Sequence, residues 1–171
     1  MKPSELKQTE YFHYYKPYID LVDDISLIEA LAVGLMNTKK FFELIPKDKE
    51  LYQYEKGKWT PKEILLHLID TERVFSYRAL YFARYEGSSV AGFDENIFGA
   101  NCEANDRTLE DLLKEYVAVR KATIVLFESF SEVVLKRGGI ANNNPLSVRA
   151  AGYIICGHEI HHSKVIEERY L

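Results

Sequence analysis

The sequence has few of the features that mark membrane-spanning or nucleic-acid-binding proteins. No run of 18 consecutive apolar residues occurs in the 171-residue chain, so we predict no membrane partner. Basic residues are not in excess, because 22 Lys and Arg stand against 26 Asp and Glu, for a formal net charge of −4. A protein that neutralises a phosphate backbone needs the opposite balance, so we expect no nucleic acid partner.

Cysteine is scarce as well, since Cys102 and Cys156 are the two in the chain. They lack the C-x-x-C spacing of a zinc ribbon and do not make the disulfide framework of a small secreted protein. The N-terminal residues contain no apolar segment of signal-peptide length. We therefore predict free thiols and a cytoplasmic protein.

The length and composition predict one domain over residues 1–171. Hydrophobic residues make up 47% of the chain and charged residues 28%, which is the balance of a globular protein. A chain of this length buries enough surface to fold without a disulfide or a metal ion. A metal site in it would therefore need a functional explanation.

Apolar residues recur at helical spacing in four long segments, whereas alternating strand patterns are nearly absent. The segments cover about residues 25–45, 61–85, 108–138 and 147–169. They predict an all-α protein, a four-helix bundle, with the aromatic-rich residues 1–20 packed across one end. The connection over residues 87–107 is long for a compact domain, so we predict a lid there, with Phe93 and Phe98 as apolar contacts.

Two of the five histidines fall in the middle of the apolar stripe of the last predicted helix. At 100° per residue, His162 lies about 40° from His158, whereas His161 lies at the edge, near −60°, and Glu159 lies off the stripe, near 100°. Two buried imidazoles one turn apart repel when both are protonated. A divalent metal ion satisfies both neutral rings, so the pair predicts a metal site.

His67 faces the core from the second predicted helix. A single inward histidine is more often a hydrogen-bonded core residue than a ligand. With His158 and His162 on a facing helix, however, His67 completes a three-histidine site with open positions, which is typical of catalytic metal centres.

Arg78 lies near 20° from His67 on the same face, an inward position that is costly for a cation without an anionic partner. A structural ion pair with Asp70, Glu72 or Asp94 is one interpretation, and contact with a carboxylate of substrate or cofactor is the other. Asp70 and Glu72 are alternatively acceptors that orient the ligand histidines. His161 is a further candidate for such a supporting or substrate-binding role.

The residues from His158 to His162 also match the H-E-x-x-H pattern of zinc proteases. Nine residues follow His162, too few for the usual downstream third ligand, so we disfavour this interpretation. Under it, Glu159 is the general base. In a bundle, Glu159 is expected to be peripheral, and its loss should leave the metal ion bound.

Two segments together resemble a known family. The first runs from Gly57 to Arg73 (GKWTPKEILLHLIDTER) and the second from Gly157 to His162 (GHEIHH). They are similar to the DinB/YfiT-like superfamily of metalloenzymes, and the resemblance extends from about residue 18 to the end. It implies a four-helix bundle with a metal ion on one histidine of the second helix and two of the last, at the positions of His67, His158 and His162.

The resemblance also implies a range of functions. Members bind nickel, zinc or related divalent ions, often form homodimers, and include bacillithiol or mycothiol transferases and a mycothiol-dependent maleylpyruvate isomerase. For this chain it favours a metal-dependent enzyme that transfers a low-molecular-weight thiol to small electrophiles. The alternatives are metal-dependent hydrolysis, a non-catalytic metal-binding stress-response protein, and a purely structural bundle with hydrogen-bonded histidines.

Overall fold

The computed structural model describes residues 1–171, and four long helices form its frame. The elements in chain order are α1 (Lys16–Ile19), α2 (Leu27–Glu43), α3 (Pro61–Arg84), β1 (Ser89–Val90), α4 (Glu95–Ala100), α5 (Leu109–Glu128), α6 (Glu132–Leu135), β2 (Gly138–Ala141), β3 (Asn144–Ser147) and α7 (Val148–Arg169). The long helices α2, α3, α5 and α7 pack against one another, which confirms the predicted four-helix bundle. No helix combines the length and the apolar character that a membrane span requires.

Each long helix begins at a serine or threonine whose side chain accepts a hydrogen bond from a backbone N–H of the first turn. These caps are Ser26, Thr60, Thr108 and Ser147. At α3, the Glu63 carboxylate also accepts a hydrogen bond from the Thr60 backbone N–H at 2.7 Å, and Pro61 occupies the first helical position. The caps satisfy N–H groups that have no partner within the helix, and so set where the helices start.

The segment between α5 and α7 differs from the prediction. Helix α5 ends at Glu128 and does not extend toward Gly138, because Ser131 caps a new short helix, α6. The chain then forms the antiparallel hairpin β2–β3, whose turn residues Asn142 and Asn143 have φ angles of 49° and 62°. Asparagine tolerates this left-handed conformation, and a two-residue turn of this kind matches the twist of paired strands.

The segment predicted as a lid, residues 87–107, carries regular structure of its own. Strand β1 pairs in parallel with β2, and Asp94 caps α4 by accepting hydrogen bonds from the backbone N–H groups of Asn96 and Ile97. The sequence analysis misses this small sheet, because strands of 2 and 4 residues are too short to show an alternating pattern.

The core of the bundle consists of two apolar clusters, one toward each end. A buried polar network separates them, in which Arg120 of α5 binds Glu72 of α3 and Glu159 of α7. On each of these helices the network residue lies between the residues of the two clusters. The middle of the bundle is therefore held by charged groups rather than by apolar packing.

The aromatic-rich N-terminal segment packs against α7. The buried Arg149 of α7 donates a hydrogen bond to the Glu10 carboxylate at 2.8 Å, and the Tyr153 hydroxyl donates one to the Met1 carbonyl at 2.6 Å. Gly157 has no room for a side chain, because the Tyr18 carbonyl occupies the place of a Cβ. The N-terminal segment thus packs closely against the part of α7 that precedes the histidines.

Candidate metal centre

His67, His158 and His162 converge between α3 and α7. The Nε2 atom of His158 lies 3.1 Å from Nε2 of His67 and 3.0 Å from Nε2 of His162. The three ligand atoms all lie within 4.8 Å of one another. Metal–nitrogen bonds of about 2.1 Å at ordinary coordination angles place ligand nitrogens about 3.0–3.4 Å apart, so the spacing around His158 suits one shared ion.

Hydrogen bonding among the three rings alone leaves the cluster unsatisfied. A neutral imidazole nitrogen carries either one proton or one lone pair, so Nε2 of His158 can make one good hydrogen bond but has two close nitrogen neighbours. The Nδ1 atom of His162 is also buried with no hydrogen-bond partner. A divalent ion that accepts lone pairs from all three rings resolves the crowding, so the donor set fits such an ion.

Burial keeps the three rings neutral. Desolvation lowers the pKa of His67 to about 4, and desolvation together with neighbouring histidines lowers the pKa of His162 to about 3. The same causes hold the pKa of His158 well below its usual value. Neutral imidazole is the form that binds a metal ion, so the three rings are in the binding form at neutral pH.

We expect the metal-free protein to lose stability as the pH falls below about 6.5. The unfolded chain protonates these histidines there, whereas the folded protein keeps them neutral to lower pH. The free energy of unfolding should therefore fall by up to about 1.4 kcal/mol per pH unit for each such histidine. Urea unfolding between pH 7.5 and 5 measures this, and a variant with all three histidines changed to glutamine should show a shallower slope. Equal slopes in the two proteins would contradict the assignment.

The three histidines line a cavity of about 260 Å³ with aromatic walls. The Trp59 ring lies over His67, with the ring centroids 4.6 Å apart, and Tyr18 packs edge-on against His158 at 5.5 Å. The predicted lid supplies Phe93 to the wall, and Phe98 packs on Phe93 at 5.3 Å. A small molecule beside the histidines therefore meets mainly apolar surface.

Other residues predicted to support the site lie elsewhere or bind other groups. The Glu72 carboxylate accepts hydrogen bonds from Arg120, and an Asp70 carboxylate oxygen lies 3.6 Å from Nη1 of Arg73. Neither carboxylate accepts a hydrogen bond from a ligand histidine. Arg78 is buried but has no carboxylate within ion-pair distance, which corrects the expected structural ion pair. His161 is half-buried and does line the cavity.

Glu159 is not peripheral, which corrects the sequence prediction. It is 2% exposed, and its carboxylate accepts hydrogen bonds from Arg120, from the Tyr116 hydroxyl at 2.7 Å and from the Thr38 hydroxyl at 3.0 Å. Gly34 of α2 leaves space for it, because a side chain there would overlap a Glu159 oxygen. The carboxylate is thus turned toward α2 and α5, whereas the histidines meet α3. This orientation does not suit a protease-type general base.

Solved structures that are similar to this fold include the following two. One is YfiT from Bacillus subtilis, which is described as a probable metal-dependent hydrolase with an unusual four-helix bundle topology. The superposition has a TM-score of 0.75 at 18% sequence identity, and it covers 83% of this chain and 82% of the YfiT chain. The mycothiol-dependent maleylpyruvate isomerase has a TM-score of 0.66 at 11% identity, over 82% of this chain and 60% of that chain. This chain therefore spans less than two thirds of the isomerase. Among curated proteins, the comparison finds no match.

The sequence itself also matches a family model. The model of the DinB superfamily matches residues 30–166, a range that includes His67, His158 and His162. The match agrees with the resemblance of the two histidine-bearing segments and with the similarity to the YfiT bundle. Because it extends over well more than half of the sequence, the chain belongs to the DinB superfamily.

Proposed function

We propose that His67, His158 and His162 bind a divalent metal ion, nickel or zinc, and that the protein is a metal-dependent enzyme. The observation that carries this proposal is the convergence of three neutral imidazoles, one buried and two partly buried, whose contacts cannot all be hydrogen bonds. The similarity to YfiT, itself described as a probable metal-dependent hydrolase, supports it.

The proposed reaction is the transfer of a low-molecular-weight thiol to a small electrophile. A bound divalent ion would lower the pKa of a thiol or water beside it, so that a nucleophile forms near neutral pH. The similarity to a mycothiol-dependent enzyme favours the thiol. Trp59, Tyr18 and Phe93 would hold the apolar part of the substrate and keep water away from the reacting atoms.

Hydrolysis is the second candidate, because the similar YfiT is described as a hydrolase. The same cavity would then admit water as the nucleophile, and no thiol would be needed. The volume of about 260 Å³ suits a small molecule in either case. A homodimer and a cytoplasmic location stay predictions.

The test is turnover by untagged protein loaded with nickel or zinc. We expect the protein to consume 1-chloro-2,4-dinitrobenzene in the presence of bacillithiol, mycothiol or glutathione, and to lose this activity when the metal is removed. Cleavage of p-nitrophenyl acetate without any thiol would favour hydrolysis instead. Metal-loaded protein that catalyses neither reaction would favour a non-catalytic metal-binding protein.

A further inference from the structure

A second cavity adjoins the histidine cavity. Its volume is also about 260 Å³, and the two cavities share four lining residues, Tyr14, Tyr15, Phe93 and Glu95. The hairpin β2–β3 forms the far wall of the second cavity, and Arg78 of α3 lines it. The small sheet that sequence patterns do not reveal thus encloses a space next to the histidines.

Arg78 is buried in this wall without an anion. It is 3% exposed, and its Nη2 donates a hydrogen bond to the Ala91 carbonyl at 3.4 Å. Its guanidinium carbon also lies 5.7 Å from the centroid of the Phe93 ring. The guanidinium carries five N–H donors, so most of its hydrogen-bonding capacity is unused. The Tyr15 hydroxyl is a further hydrogen-bond partner of Arg78, but it is a neutral phenol whose pKa is raised by burial, so it does not balance the charge. The nearest acidic lining residue, Glu95, is exposed on α4.

The other two buried arginines of this chain are both neutralised. Arg120 binds Glu72 and Glu159, and Arg149 binds Glu10. Moving a cation out of water without a partner is strongly unfavourable, and buried charges in proteins are normally paired. Arg78 is therefore the one buried arginine without a carboxylate partner; the buried Lys62 also lacks one, but it donates a hydrogen bond to the Asn105 carbonyl at 2.8 Å and lines neither cavity. The place of Arg78 in a cavity wall indicates that its missing anion comes from outside the chain.

The placement of Arg78 relates it to the histidines. Arg78 follows His67 by eleven positions on α3, so the two lie about 20° apart around the helix and about 16 Å apart along it. Long side chains on a helix point back toward its N-terminus, which is the direction of His67. Phe75 lies between them in sequence, lines the histidine cavity, and has its ring centroid 5.0 Å from the Arg78 guanidinium carbon.

We propose that Arg78 binds a carboxylate group of the substrate or of the thiol. The reactive end of the same molecule would then lie beside the three histidines. Arg78 is the one cationic residue lining the second cavity, and the acidic Glu95 lines it too. A singly charged carboxylate, which guanidinium binds through two parallel hydrogen bonds, therefore fits better than a doubly charged phosphate. The link to substrate rests on the proposed function, whereas the anion site itself is testable without metal.

Calorimetric titration of the metal-free protein with octanoate and with octanamide tests the site. We expect octanoate to bind about tenfold more tightly than octanamide, and Arg78→Gln to remove this preference while octanamide affinity stays unchanged. Arg73→Gln is the matched control, because Arg73 is exposed on the same helix, and it should keep the preference. Equal binding of the two ligands, no binding of octanoate, or a preference that survives Arg78→Gln would overturn the proposal.

Thermal unfolding separates ligand binding from folding. Arg78→Met removes a buried cation that has no carboxylate partner, so its Tm without ligand should equal or exceed that of the wild type. A drop of many degrees would mean that Arg78 serves the fold, and would overturn the proposal. If octanoate selectivity is found in a protein that never retains nickel or zinc, the anion site stands and the proposed metal-dependent function falls.

Discussion

Replacing Arg120 with methionine should lower the free energy of unfolding by about 3–5 kcal/mol. Arg120 is 1% exposed and donates hydrogen bonds to both Glu72 and Glu159. Its loss leaves two buried carboxylates without a cation. Urea unfolding of the metal-free protein at pH 7.5 measures the change.

Arg107→Met is the matched control for this prediction. Arg107 pairs with two acidic residues near the surface, where an ion pair contributes about 0–1 kcal/mol. Adding Glu72→Gln and Glu159→Gln to the Arg120→Met variant should recover part of the lost stability, because neutral amides are less costly to bury than unpaired charges. If Arg120→Met and Arg107→Met show the same small effect, the buried network does not stabilise the bundle.

His158→Ala should reduce the metal content of the untagged protein from about one ion per chain to almost none. His158 is the central ring of the cluster, since its Nε2 atom contacts both of the others. Loss of a ligand should cost more affinity than the 10- to 100-fold typical of residues that only orient a ligand. Elemental analysis measures the content, and the rise in Tm that we expect of the wild type on adding nickel should be absent from the variant.

Two neighbouring positions on α7 supply controls. His161→Ala removes a half-buried histidine outside the cluster, and Glu159→Gln changes the acidic residue of the H-E-x-x-H pattern, whose carboxylate is bound by Arg120. Both variants should keep the ion. Wild-type protein that holds no metal and gains no stability from nickel or zinc would show that the histidines are ordinary core residues.

The parts of the fold that local sequence determines are predictable from the sequence. Helix starts at Thr60 and Thr108 depend on residues within one turn, and the apolar period marks the helices that follow. Strands β1 and β2 escape prediction because they are short, and their parallel pairing joins Ser89 to Ile140 across the three intervening helices α4, α5 and α6. No residue pattern within either strand indicates that it pairs with the other strand.

The same distinction holds at the candidate site. His67, His158 and His162 are found by helical angles because they lie on two regular helices. The angle of Glu159 misleads, because α7 is covered by α1 and α2 as well as by α3, so a residue off one stripe is still buried. Arg120 carries an overlooked signal, since it follows Tyr116 by one helical turn and shares its inward face.

One wall of the histidine cavity lies outside the stretch that the DinB superfamily model matches. Tyr14, Tyr15 and Tyr18 precede residue 30, where the match begins, whereas all three histidines fall inside it. Exchange of residues 1–29 as a unit would reshape the cavity and leave His67, His158 and His162 in place. The tyrosine wall of the cavity and the three histidines thus lie on different stretches of one chain, so two proteins with the same bundle and the same histidines can differ in that wall.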